Sequence, residues 1–543
     1  MHIRIRIACG VLLALTCALV LGACGGSSGS SIISVLQGTA PDSLDPSVGH
    51  SAQASESSWL VYLGLYTYTH AEGSVGTVVI PAIAAAQPTV SAGGKTYSMT
   101  IRPGLTYSNG EAVKASDFPF AIERALKLHW GGASYFTDHI AGAKAFADGS
   151  AHKISGISAN DSSGAITIHL LAAYQPFGNV LAFPAAGLLP ADTPMQNEST
   201  SPPAGFGPYE IRNVVGSSSY SVDINPSYAR QAVPGVPAAH ANIAVRIEPN
   251  ANTEVNDVLG GSADVFDSAD AIPAKLASSV SSNASRYTKE PTGPTLFYFL
   301  NTRVKPFDTQ LAREAVEVAL DRTALSALGG GSITPSCYLL PPAVIGHPTG
   351  RCPYGDPAVP GNLAVAQALV KRSGTTGTRV TVWGPRQNPR YAYVVAYTGL
   401  LKALGYKATA KFIPDASYMT TIGGMPNNAQ TGFGWHQPAF PNPADYYTLL
   451  DANSIKPAGN LNLSAVIDQR IQKALAKLNT FSTDQLQRVA PYWQLLDLYS
   501  TVQAFLGVIG YQDQPKFTSG RIAFSSLVFS PVYGDDWSSL QLK

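Results

Sequence analysis

Between residues 379 and 413 the hydrophobic period changes twice. Residues 379–383 (RVTVW) alternate as a half-buried strand does. Residues 391–404 carry apolar side chains at helical spacing, and residues 407–413 (KATAKFI) read as a strand again. Two strands joined by a helix make a β-α-β unit, with parallel strands and a right-handed crossover. A lobe that contains one is α/β. The chain has 543 residues, 45% of them hydrophobic, which is ample for two or three such lobes rather than one.

The first residues read as a targeting segment rather than as fold. Arg4 and Arg6 form a charged start, and residues 7–20 form an apolar run shorter than the ~18–20 residues of a membrane-spanning helix. The run ends in Leu21-Gly22-Ala23-Cys24, which resembles a bacterial lipobox. That resemblance implies a signal peptide over residues 1–23, cleavage before Cys24 and a lipid on its thiol. An ordinary signal peptide with an incidental cysteine is the alternative. Residues 24–31 fit a flexible tether, and no later apolar run is long enough to span a bilayer. Without Arg4 and Arg6 the formal charge moves from +1 to −1, which argues against a nucleic-acid partner. Cys337 and Cys352, fifteen apart in a Pro/Gly-rich loop, are the two cysteines that follow Cys24. Outside the cytoplasm a disulfide is the simplest reading, and a redox pair would lack the C-x-x-C spacing.

Residues 96–126 (TYSMTIRPGLTYSNGEAVKASDFPFAIERAL) read strand, turn, extended piece, turn, helix. Tyr97, Met99 and Ile101 alternate with polar residues, and Pro103-Gly104 turns the chain. Ser116 suits an N-cap, with Asp117 in the first turn. The order closely resembles the signature of the family 5 extracellular solute-binding proteins, the receptors of oligopeptide and nickel ABC importers. Thr96, Tyr97, Arg102, Gly104, Gly110, Ala115, Asp117, Glu123 and Arg124 are the matching residues.

Further pieces follow in family order. Leu44-Asp45-Pro46 matches the N-terminal motif, and residues 59–68 (WLVYLGLYTY) match the next helix. Gly205-Phe206-Gly207-Pro208-Tyr209 and a box running from Asn301 to Arg322 complete the set. The resemblance implies an α/β, bilobed, periplasmic-binding-protein-like fold (class II, cluster C) with three subdomains and a hinge. One lobe would comprise residues 32–75, 200–288 and 503–543, with residues 76–199 as its inserted subdomain, and the other residues 289–502. Two crossings between lobes would form the hinge.

Residues 432–443 (GFGWHQPAFPNP) resemble the family's cleft segment, with Trp435 as the match. Pro438 stands where peptide receptors carry an Asp that pairs with a ligand's ammonium. No acid follows before Asp445, so acetylating a peptide ligand's N-terminus is expected to change affinity by less than about tenfold. By resemblance the ligand would touch Thr39, Ala40 and Pro41, then Phe433, Trp435, His436 and Gln437. Trp435 serves equally well as ligand platform or core residue. No catalytic or cofactor motif stands in a fitting context, so the expectation is a binding protein without cofactor or metal. It would be a monomer that captures peptides or similar oligomeric solutes and passes them to ABC permease and ATPase subunits, anchored by lipid outside the cytoplasm. A nickel-chelate or haem receptor of the same family, and a secreted hydrolase, are the alternatives.

Overall fold

A computed structural model describes residues 32–543, apart from Ser268, residues 425–428 and Ala458. The leader, Cys24 and the tether lie outside the described residues. Two main sheets organise the chain. The first has seven strands in the order Tyr287–Glu290, Gln514–Thr518, Val265–Phe266, Ile32–Gln37, Asn242–Ile247, Ser219–Ile224, Tyr209–Val215. Ile32–Gln37 is parallel to both its neighbours, so Val35 lies between Val245 and Val265. Val35 and Leu36 are fully buried, as suits a strand covered on both faces.

The second sheet has six strands in the order Ile333–Pro335, Leu506–Gln512, Thr295–Leu300, Thr431–His436, Arg379–Pro385, Lys407–Ile413. Every residue of Thr295–Leu300 is buried. The β-α-β unit is present: Arg379–Pro385 and Lys407–Ile413 pair in parallel, joined by helix Arg390–Ala403. A four-stranded antiparallel sheet, Thr89–Ser91, Thr96–Thr100, Ala165–His169 and Ile157–Asn160, shares a core with helix Asp117–Lys127.

Several local expectations give way to tertiary context. Residues 59–68 are not a helix; the helix is Ala52–Ser58, and Tyr66–Tyr68 is a strand paired with Val79–Pro81. Trp59, Leu60, Val61, Tyr62, Leu63, Leu65 and Tyr66 are all buried, so no polar face is left to give the segment a helical stripe. Ser116 does not cap by its side chain; its N–H and hydroxyl both donate to Asp161. Asp117 closes the turn instead, accepting from Lys114 N at 2.8 Å and Tyr107 Oη at 2.7 Å.

The lobe boundaries also move. Leu506–Gln512 pairs with Thr295–Leu300 in the second sheet, so the chain crosses at Asp513 and not at residue 503. Tyr287–Glu290 belongs wholly to the first sheet, which puts the earlier crossing at residues 291–294. The two crossings run side by side: Gly293 N donates to Gln512 O, and Gln512 N to Pro294 O. Cys337 and Cys352 form a disulfide.

Candidate functional site: the cleft between the lobes

Strand Thr431–His436 ends at the gap between the two sheets, and the chain continues through Gln437-Pro438-Ala439 along its wall. The gap is a cavity of about 1290 Å3. That exceeds the roughly 300–1,000 Å3 of a usual small-molecule pocket. One wall comes from the first lobe, including His50, Glu56, Asp267 and Asp270. Trp130, Tyr135 and Phe183 enter from the region of the four-stranded sheet. The second lobe brings Arg390, His436, Gln437 and Asp445.

The residues picked out by resemblance are spread over different environments. His436 and Gln437 line the cavity. Thr39, Ala40 and Pro41 do not; the loop before them accommodates Asp270, whose Oδ2 accepts from Gly38 N at 2.7 Å, and the acid is what reaches the gap. Phe433 is fully buried, packed on Tyr298 and Tyr393. Trp435 is half-buried and also outside the lining. It stacks near Tyr418, and the Arg390 guanidinium sits 4.1 Å from its ring centroid. The aromatic platform is therefore covered by a cation, and Arg390 is the group presented to the cleft.

Asp445 removes the premise that this wall lacks a carboxylate. Asn442 caps the short helix Pro443–Tyr446 by accepting from Ala444 N, which turns the chain back on itself. Asp445 Oδ2 then accepts from Ala439 N at 2.9 Å and lies 3.4 Å from His436 Nε2. No local pattern in the sequence foretells how near this turn brings Asp445 to Ala439 and His436. Glu56, Asp267, Asp270 and Arg390 had no local signature at all.

The cleft is closed on one side by contacts between the second lobe and the inserted region. Asn442 Nδ2 donates to Asn179 Oδ1, and Asn179 Nδ2 to Tyr68 Oη, all three side chains buried. Phe440 packs against Tyr135 and Phe183. Burial lifts the Tyr135 hydroxyl far above its ordinary range, with the Asp445 charge adding to the effect.

The family model for bacterial extracellular solute-binding proteins, family 5 Middle, matches residues 78–457. The chain belongs to this family. Among curated relatives, the glutathione-binding protein GsiB of Salmonella typhi is 25% identical over 329 residues, 59% of this chain and 58% of the relative. GsiB of Escherichia coli O157:H7 is 26% identical over 326 residues, again 59% and 58%. The match thus spans a little over half the length of these relatives. Among solved structures, the clavulanic acid biosynthesis oligopeptide binding protein 2 superposes with a TM-score of 0.80 at 20% identity, covering 94% of this chain and 96% of that one. The unliganded open form of the periplasmic murein tripeptide binding protein MppA gives 0.79 at 18% identity, covering 95% and 98%. These likenesses show the fold, the bilobed α/β architecture of periplasmic binding proteins.

Proposed function

We propose that this chain is the receptor of an ABC importer, closing its two lobes on a peptide or a solute of similar size and presenting it to a membrane permease. The observation that carries the reading is the cleft itself, whose walls come from both main sheets and whose hinge is a pair of adjacent crossings. A ligand that touches both walls favours the closed arrangement by its differential affinity for it. The lining offers carboxylates on one side and both the Arg390 guanidinium and the Asp445 carboxylate on the other, which suits a zwitterionic chain with several backbone groups. The role is binding rather than catalysis. Relatives named for glutathione and structures named for oligopeptides and a murein tripeptide support the peptide class. Cys24 carries the lipid that holds the receptor at the outer face of the cell membrane, with residues 25–31 as its tether.

Thermal-shift screening tests the reading, since a ligand specific to the native state raises the unfolding midpoint. A panel of di- to hexapeptides, glutathione included, is expected to contain members that raise it in a concentration-dependent manner. A flat response across peptides, with a rise for sugars or metal chelates, would contradict the peptide assignment.

A further inference from the structure

One stretch of the cleft wall is built of rings rather than charges. Trp130 follows helix Asp117–Lys127, Tyr135 stands on the short helix Ser134–Thr137, and Phe183 opens the turn Pro184–Ala186. The rings form one cluster, with Phe183 5.7 Å from Trp130 and 5.3 Å from Tyr135 between centroids. Phe440 reaches the cluster from the second lobe, 5.7 Å from Tyr135 and 6.0 Å from Phe183. Pro438 and Ala439, just before it, therefore border the same part of the cavity. Trp130 and Phe183 keep 5% and 7% of their surface and make the floor. Tyr135, Pro184, Pro438 and Ala439 are half-buried and make the walls that open to the cleft.

The floor presents carbon to the cleft. The Trp130 indole spends its N–H on Gly49 O at 3.0 Å, and the fully buried Phe136 stacks on the ring at 5.3 Å. A Cβ on Gly132 would stand 2.4 Å from that ring, so the glycine is what lets the indole lie against the backbone. Burial keeps the Tyr135 hydroxyl protonated, so it adds no charge. Polar groups stand at the border. His50 meets the indole edge-on at 5.4 Å, and Asp445 accepts from Ala439 N beside His436. Apolar surface facing a water-filled cleft is favourable to cover, and apolar walls with a few polar groups at the edge are the usual form of a ligand pocket. Aromatic walls suit a ring, which adds edge or offset-face contacts to the area it buries. The walls come from both lobes, so a group seated between them favours closure.

We infer that Trp130, Tyr135, Phe183, Pro184, Pro438 and Ala439 form a subsite for an aromatic or large apolar side chain of the solute. This rests on the receptor reading above and narrows the solute class to peptides, or comparable oligomers, that carry such a group.

The test is competitive capture from a mixed library of tri- to hexapeptides in which phenylalanine, leucine, glycine and serine occur equally at each position. Bound peptides are identified by mass spectrometry. The wild-type protein is expected to enrich phenylalanine over serine by about tenfold or more, with leucine between them. Tyr135→Ser removes one wall, and Ala439→Leu fills the recess from the opposite lobe. Each is expected to erase most of the enrichment while peptides of glycine and serine are still captured. Tyr135→Phe keeps the ring and is expected to keep the enrichment. Equal capture of phenylalanine and serine peptides by the wild type would overturn the subsite and leave the receptor reading intact. Enrichment unchanged in both Tyr135→Ser and Ala439→Leu would place the preference elsewhere in the cleft and overturn the subsite as well. Capture of no peptide at all would overturn the receptor reading and the subsite with it.

Discussion

Arg124 and Asp45 are 79 residues apart in sequence and form a bidentate ion pair, both contacts at 2.6 Å, with both side chains fully buried. Asp45 also accepts from Ser47 N and Glu198 N, and Arg124 donates to the carbonyls of Pro194 and Gln196. Each residue was legible as part of a family motif. That the two motifs exist to meet each other was not, because no local pattern encodes a contact over such a distance. Arg124→Met leaves Asp45 charged and unpaired, and is expected to lower stability by about 3–5 kcal/mol. Adding Asp45→Asn should recover part of that loss, measured by urea unfolding. A second residue-scale consequence concerns pH. Burial raises Asp267 and Asp497 from 3.8 to about 7, and Glu254 from 4.5 to about 9. A carboxyl whose folded pKa lies above its unfolded value binds its proton more tightly in the native state. Its contribution is therefore full below the unfolded value and is lost as pH rises toward the folded one. The ligand-free protein is expected to be more stable at pH 5 than at pH 8, by thermal unfolding, with Asp267→Asn flattening the dependence.

At the scale of elements, what the sequence showed was what its own periodicity could carry. The β-α-β unit at Arg379–Ile413 was readable because its helix has one buried face and its strands alternate or run apolar between helical turns. Residues 59–68 misled because burial on every side erased the stripe that distinguishes helix from strand. The lobe boundaries were misplaced by up to about ten residues because every residue of Leu506–Gln512 before the exposed Gln512 is buried, which suits the core of either sheet. The hinge now has a residue to test. A Cβ on Gly293 would stand 2.6 Å from Gln512 O, too close for the paired crossings to persist unshifted. Gly293→Val is expected to separate the crossings and weaken binding of a captured peptide by about tenfold, read by titration calorimetry. Both lobes should remain folded, with unchanged far-ultraviolet circular dichroism. Unchanged affinity in this variant would mean that the crossings do not set the closed geometry.

At the scale of the whole molecule, two α/β lobes joined by adjacent strands face each other across a charged gap, and the charges differ from wall to wall. The carboxylates at Glu56, Asp267 and Asp270 belong to one body, and Arg390 and Asp445 to the other, so a solute that reads both must bridge them. The anchor is a separate matter: Cys24→Ser is expected to release the protein from the membrane fraction with peptide capture unchanged, followed by mass spectrometry of the N-terminus. The central claim is that the solute is held between the lobes, and amide hydrogen exchange with and without a captured peptide tests it most directly. Binding is predicted to protect residues 50–58 and 267–277 on the first lobe and residues 436–446 on the second at the same peptide concentration. Protection confined to one wall, or peptide binding with no protection at either, would contradict the account.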